Sequence, residues 1–219
     1  QNKPREKAAK PVDQKEKPVK QVQDTPALPL GVKISGDYLY HVIKKDNTAT
    51  ILKYVGRSSE KKLVIPAELD GHIVDTIGKA AFSNYKGESY PRLDLKTAQE
   101  KYAIAQECTF QGTTIHLPET IETIDDFAFH GAVSLQKVVF PKKMKKIGKY
   151  SFYGCSELKT AHFPDELEEL AYHSFEDCVK LTDVDLPATL ETLQSSTFKG
   201  CSALRTLRFP DQLKKIEYS

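Results

Sequence analysis

The sequence is dominated by an apolar–proline dipeptide that recurs every 23 residues. The dipeptides are Leu117-Pro118, Phe140-Pro141, Phe163-Pro164, Leu186-Pro187 and Phe209-Pro210. When each proline is counted as position 1, position 12 is phenylalanine and position 18 is leucine in four repeats each: Phe129, Phe152, Phe175 and Phe198, and Leu135, Leu158, Leu181 and Leu204. A chain with this regularity is expected to fold as a stack of similar units.

Each repeat contains a short extended segment that ends at the proline. Apolar residues at positions 18, 21 and 23 indicate a strand, and proline ends its hydrogen-bond ladder because it lacks an N–H. Apolar positions 4 and 7 bring the chain back across the core, and a glycine at position 14 allows the backbone to reverse. Because so small a unit cannot bury its own apolar side, the pattern predicts a solenoid with parallel strands.

Two earlier turns are irregular versions of the same unit. Ile65-Pro66 is expected to open one coil and Tyr90-Pro91 the next, which gives six to seven coils over residues 61–219. An irregular insertion covers residues 83–112. Helical spacing within it is shown by Leu95, Ala98, Tyr102 and Ala105. Long insertions on repeat scaffolds are often functional, so this segment is a candidate binding element.

The repeat resembles a known family. Residues 147–164 read IGKYSFYGCSELKTAHFP, and residues 193–210 follow the same pattern. Both are similar to the BspA-type bacterial leucine-rich repeat, I-G-x-x-A-F-x-G-C-x-x-L-x-x-[IV]-x-[IF]-P, and the similarity extends over residues 60–219. The resemblance implies a right-handed, α/β horseshoe-like leucine-rich repeat solenoid, built mainly of short parallel β-strands with turns and short helical segments. It also implies a secreted or surface-anchored bacterial protein that adheres to host proteins or to other cells.

Two further segments precede the repeats. In residues 31–60, Tyr38–Ile43 and Ala49–Val55 alternate in polarity around Asp46-Asn47, which predicts a β-hairpin that caps the first coil. Residues 1–30 are rich in lysine and proline and contain little apolar surface, which predicts a disordered tether able to anchor the domain.

Both ends suggest that the sequence is part of a longer protein. It begins at Gln1 without a leader, so we expect a removed signal peptide or a trimmed start. Position 12 of the last repeat would be residue 221, whereas the sequence ends at Ser219, so we expect a longer array.

Composition and motifs exclude several functions. The net charge of +2 is too small for a general nucleic-acid binder, and no apolar run is long enough for a transmembrane helix. GxSxG, GxxxxGK[ST], HExxH and GxGxxG are all missing, so we expect no enzyme, no cofactor and no metal site. The four cysteines form no CxxC pair.

Position 15 holds Cys155, Cys178 and Cys201, which we expect to form a ladder of buried free thiols whose side chains point the same way. His173 shares position 10 with Phe127 and Tyr150 and is expected to pack on a convex turn.

Charges in adjacent repeats are complementary. Four lysines after Pro141 face four acids after Pro164, which predicts ion pairs between coils: Lys142, Lys143, Lys145 and Lys146 with Asp165, Glu166, Glu168 and Glu169. The acids cancel most of the field of the lysines, which disfavours nucleic acid or heparin at this point.

Positions 20 and 22 of the strand are expected to face outward, and solenoids commonly bind partners on such a face. The candidate partner-binding residues on the strands are Thr114, His116, Lys137, Val139, Thr160, His162, Asp183, Asp185 and Arg208. Tyr85 and Tyr102 are the candidates in the insertion.

The first functional hypothesis is an extracytoplasmic protein-binding or adhesion module for host matrix or other cell-surface proteins. The alternative is a structural spacer that presents an attached domain and has no ligand of its own.

Overall fold

The computed structural model describes residues 27–43, 45–56, 61–84, 99, 102–103, 108 and 110–218. The predicted tether lies almost entirely outside these residues, as do Tyr85 and Pro91. Within the described residues, no helix is long and apolar enough to cross a membrane.

The described residues form sixteen short strands. The first six are β1 (Val32–Ser35), β2 (Tyr38–Ile43), β3 (Thr48–Tyr54), β4 (Lys62–Val64), β5 (Glu68–Leu69) and β6 (His72–Ile77). The next five are β7 (Thr114–His116), β8 (Thr123–Ile124), β9 (Lys137–Val139), β10 (Lys146–Ile147) and β11 (Thr160–His162). The last five are β12 (Glu169–Leu170), β13 (Asp183–Asp185), β14 (Thr192–Leu193), β15 (Thr206–Arg208) and β16 (Lys215–Ile216). Helical conformation among the described residues is limited to Gln99, Tyr102 and Ala103.

The strands form two parallel stacks, one on each side of the core. The front sheet has the order β4-β7-β9-β11-β13-β15, and each strand contributes positions 20–22 of one coil. The rear sheet runs from β6 through β8 and β10 to β12, and the pair β14–β16 follows as a separate two-stranded sheet. Register follows the repeat, since Asp183 pairs with Thr206 and Lys146 with Glu169. The predicted solenoid is confirmed.

A ladder of aromatic rings fills the space between the sheets. Phe129, Phe152 and Phe175 are fully buried, with successive ring centroids 5.0 and 4.9 Å apart. Phe82 stacks on Phe129 at 5.1 Å, and Tyr54 of the cap stacks on Phe82 at 5.4 Å. Because every ring packs against the next coil, no repeat has a core of its own, as expected for a solenoid.

The turn that carries each phenylalanine needs left-handed backbone at two positions of the repeat, 10 and 14. At position 10, Phe127 has a φ of 60° and Tyr150 a φ of 54°. Position 14 has φ near +67° at Gly131 and Gly154, where glycine adopts this conformation without strain. The same position in the next coil is Asp177 at φ 60°, so this coil keeps the turn at a steric cost.

Tyr90-Pro91, which is predicted to open its own coil, lies outside the described residues. β4 pairs directly with β7, in register Lys62 to Thr114, and Phe82 stacks directly on Phe129. Among the described strands, none lies between β4 and β7 in the front sheet.

The predicted hairpin is confirmed and is larger than expected. β2 and β3 pair antiparallel, and β1, which was not predicted, pairs antiparallel with β2. β3 also pairs parallel with β6, so the cap continues the rear sheet. The cap also forms the same backbone hydrogen bond as a coil. Tyr54 N–H donates to Ala81 C=O at 2.9 Å, and the equivalent bond between the first two coils runs from Phe82 N–H to Ala128 C=O at 2.7 Å.

Lys53 completes this imitation from a buried position. Its side chain is 2% exposed, and its Nζ donates to the carbonyls of Ala80 at 3.0 Å and Ser83 at 3.3 Å. Burial lowers the pKa of the Lys53 ammonium, and the nearby Cys108 opposes that change. The Ser83 carbonyl corresponds to that of His130, which accepts from Asn84 N–H of the preceding coil, so the ammonium replaces a backbone donor at this point. The Ala80 carbonyl accepts from Ser83 N–H of its own turn as well.

Candidate functional site

The strand face consists of the outward side chains of the front sheet, at positions 20 and 22. Parallel pairing places each set in one column, because Thr114 pairs with Lys137 and His116 with Val139. The position-20 column is Lys62, Thr114, Lys137, Thr160, Asp183 and Thr206. The position-22 column is Val64, His116, Val139, His162, Asp185 and Arg208. The structure therefore brings all nine of the predicted strand residues onto one surface.

This surface is open to solvent although its backbone is fully engaged in the sheet. The middle residue of each internal strand is buried, as at Ile115 and Val138, while Lys137, Val139 and His162 are exposed. Val64 is 61% exposed and Val139 is 37% exposed. An ordered sheet that presents exposed apolar and charged side chains together can bind a partner with little ordering cost.

Electrostatic character changes along the strand face. Partial burial lowers the pKa of the His116 imidazole, and the charges of Lys62 and Lys137 lower it further. At the other end, Asp185 accepts from Arg208 at 2.5 Å, and Asp183 lies on the same strand. The first strands are thus basic, whereas the last two carry both signs.

In the insertion, the described residues Gln99, Tyr102 and Ala103 contact the N-terminal cap region rather than the strand face. Tyr102 and Ala103 pack against the cap residues Val32, Leu39 and Leu52, in a cluster separate from the main core. Gln99 Nε2 donates to Leu30 C=O at 3.0 Å. Tyr102 therefore lies against the cap, and Tyr85 lies outside the described residues.

A small cleft lies where the cap meets the first coil and the insertion. Its volume is about 230 Å³, and its lining is His41, Thr50, Leu52, Gly78, Lys79, Gln99 and Asp125. Burial raises the pKa of the Asp125 carboxyl, while a hydrogen bond from Asp126 N–H and the charge of Lys79 oppose the rise. The described residues that line the cleft form no arrangement of nucleophile, base and oxyanion donors.

An aromatic ridge on the turn side was not predicted as a surface. Tyr150 stacks on Phe127 at 5.0 Å and on His173 at 4.7 Å, and His130 stacks on Tyr153 at 5.0 Å. The packing predicted for His173 is confirmed. Because neighbouring rings cover each other's faces, the ridge offers ring edges rather than the open faces that sugar stacking requires. Aromatic residues recur at positions 9, 10 and 13 of the repeat, so a comparison of these positions across coils would have predicted the ridge.

The predicted ion pairs between adjacent coils are present, but their partners differ in part from those predicted. Lys146 pairs with Glu169 at 3.1 Å as predicted, but Lys145 pairs with Glu122 of the preceding coil at 2.8 Å rather than with Glu168. Acids flank Lys145 on both sides of the stack, so the sequence does not decide between them. Other pairs also join residues one repeat apart: Glu157–Lys180, Glu176–Lys199, Asp185–Arg208 and Glu191–Lys214. Exposed pairs of this kind each contribute under about 1 kcal/mol.

The three cysteines at position 15 are free and buried, as predicted. Each Sγ donates to the carbonyl of the preceding coil's phenylalanine, with Cys155 to Phe129 at 3.3 Å and Cys178 to Phe152 at 3.2 Å. Burial raises the pKa of Cys155 to about 12. The thiols are therefore structural hydrogen-bond donors and poor nucleophiles. Among the described residues, no group of three His, Cys, Asp or Glu side chains is placed to hold a metal ion.

Comparison with known proteins agrees with this geometry. The family described as "BspA type Leucine rich repeat region" matches residues 97–219, in six copies. The chain belongs to the BspA-type leucine-rich repeat family. Among curated proteins, none matches the sequence.

Solved structures with the same fold come from several bacteria. A leucine rich cell surface protein from Faecalibacterium prausnitzii A2-165 is 28% identical with a TM-score of 0.67, over 89% of this chain and 46% of its own. The T. pallidum Leucine Rich Repeat protein is 22% identical with a TM-score of 0.58, over 82% of this chain and 83% of its own. A leucine-rich repeat protein from Eubacterium ventriosum is 21% identical with a TM-score of 0.55, over 85% of this chain and 48% of its own. This BspA-type chain thus spans about half the length of the Faecalibacterium protein.

Proposed function

We propose that this BspA-type chain is a protein-binding module of a bacterial surface or secreted protein, and that it binds through the strand face. The observation that carries the proposal is the two-column arrangement, in which exposed side chains of six coils lie on one sheet. The similar Faecalibacterium structure is a cell surface protein, which supports an extracytoplasmic location. Adhesion to host matrix or other cell-surface proteins is the role we propose for this surface.

A non-enzymatic role fits the site. The strand face repeats similar side chains along a sheet, whereas catalysis needs different groups that converge in a partly desolvated pocket. Structural presentation of an attached domain remains the second candidate, and the continuous ladder of hydrogen bonds and stacked rings between coils favours it.

Threonines on both faces allow a matched test. The protein is screened against immobilised host matrix proteins and intact bacterial cells, and binding is then measured for two double variants. Thr114→Arg/Thr160→Arg obstructs the strand face, while Thr123→Arg/Thr192→Arg adds the same bulk and charge to the rear sheets. We expect only the first variant to lose binding. Equal loss in both would refute the strand face as the site, and an absence of binding throughout would favour the spacer.

A further inference from the structure

Positive charge on the strand face is concentrated on one half. Lys62 on β4 and Lys137 on β9 are exposed, and the exposed Lys159 directly precedes β11. Along β4, β7, β9 and β11, the outward positions carry no acid. The two acids of the strand face, Asp183 and Asp185, both lie on β13. We call the outward surface of β4, β7, β9 and β11 the basic half.

The lysines of the basic half are not neutralised within the described part of the chain. None of the ion pairs found there includes Lys62 or Lys137. Glu157, which lies two residues before Lys159 in the sequence, binds Lys180 instead. With respect to the described residues, the charges of Lys62 and Lys137 are therefore available to a partner.

The spacing of these charges is regular. Lys62 and Lys137 lie two strands apart in one column, which places their backbones roughly 10 Å from each other. His116 lies between them and experiences both charges, which lower its pKa in addition to the effect of burial. In the position-20 column Thr114 separates the two cations, and His116 lies two residues further along the same strand, in the position-22 column.

Exposed apolar surface accompanies the two lysines. Val64 and Val139 stand on the same strands, two residues after Lys62 and Lys137, and are 61% and 37% exposed. Each lysine–valine strand alternates with a threonine–histidine strand. Valine methyl groups gain free energy by contact with apolar side chains, which a protein supplies and an acidic polysaccharide does not.

From this arrangement we infer that the basic half docks an acidic protein segment that also carries apolar side chains. Carboxylates of the segment lie against Lys62 and Lys137, and its apolar side chains cover Val64 and Val139. The acids of β13 repel the same segment and thereby limit its extent along the face. The inference rests on the proposed function, since it specifies the chemistry of the partner for the strand face.

A synthetic peptide of alternating glutamate and valine, fluorescently labelled, provides the probe. Its binding to the full chain is followed by fluorescence anisotropy, beside a lysine–valine peptide and a labelled heparin fragment. We expect the glutamate–valine peptide to bind, and Lys62→Glu/Lys137→Glu to weaken it at least about tenfold. Lys142→Glu/Lys143→Glu makes the same charge change at exposed positions off the strand face and should weaken it less than about twofold. Circular dichroism verifies that both variants are folded.

Three outcomes would overturn the inference. Equal binding of the lysine–valine peptide would show that charge does not select the partner. Heparin binding that is as tight and as sensitive to Lys62→Glu/Lys137→Glu would assign the basic half to polysaccharides. Failure of the glutamate–valine peptide to bind would refute an acidic partner, while the threonine variants continue to test the strand face with whole proteins.

Discussion

Replacing Lys53 by methionine tests whether the cap acts as a substitute coil. Methionine has a similar length and remains apolar, so packing is preserved while the ammonium is removed. The carbonyls of Ala80 and Ser83 then lose a charged donor that contacts them at 3.0 and 3.3 Å. Hydrogen bonds to charged groups contribute about 1.5–3 kcal/mol each, and burying the ammonium offsets part of this.

The expected net loss is about 2–4 kcal/mol in the free energy of unfolding. In a protein of this size, 1 kcal/mol shifts Tm by about 2–4 °C, so we expect a decrease of roughly 5–15 °C. Thermal unfolding followed by circular dichroism measures it. Lys142→Met, at an exposed lysine, is the matched control and should change stability by less than about 0.5 kcal/mol.

The pH dependence supplies an independent reading of the same side chain. Because burial lowers the pKa of folded Lys53, the unfolded chain binds more protons between that lowered pKa and 10.5. The stability of the native sequence relative to Lys53→Met therefore rises as pH increases through this window. An unchanged or higher Tm for Lys53→Met, with no dependence on pH, would refute the role assigned to the ammonium.

Three further experiments test the structure of the repeat. Gly154→Asp places a residue with a Cβ at a φ of 67° and should destabilise the chain by about 1–2 kcal/mol; chemical denaturation measures the change, and unchanged stability would contradict the turn argument. Phe152→Ala opens the fully buried ladder and should cost about 3–5 kcal/mol, and Phe198→Ala, at a partly exposed ring, should cost less; equal costs would contradict the stacking account. A maleimide followed by mass spectrometry should modify the partly exposed Cys108 first and Cys155 and Cys178 only on unfolding; early modification of Cys155 would refute its burial.

The repeat positions predicted register because spacing alone decides which residues of successive coils meet. Asp183 pairs with Thr206 and Asp185 with Arg208, one repeat away in each case. The same regularity placed the strand-face candidates in two columns and the cysteines in one. Position within the repeat was thus sufficient for the coil architecture and for the outward residues.

Features outside the repeat needed the structure. Lys53 stands in an alternating strand segment, and nothing in that pattern distinguishes a buried lysine from a solvated one. Tyr90-Pro91 has the sequence of a coil corner, whereas the described front sheet pairs β4 directly with β7, which the sequence did not indicate. Lys145 has acids on both neighbouring coils, so its choice of Glu122 depends on side-chain geometry.

Site-specific photo-cross-linking tests the central claim most directly. A photoreactive amino acid is introduced at Val139 or His162 on the strand face, and at Thr123 or Thr192 on the rear side. Each variant is then irradiated with the partner found by the binding screen. We predict covalent adducts from Val139 and His162 and none from the two rear positions. Adducts from the rear positions alone, formed while the partner remains bound, would contradict the strand face as the binding surface.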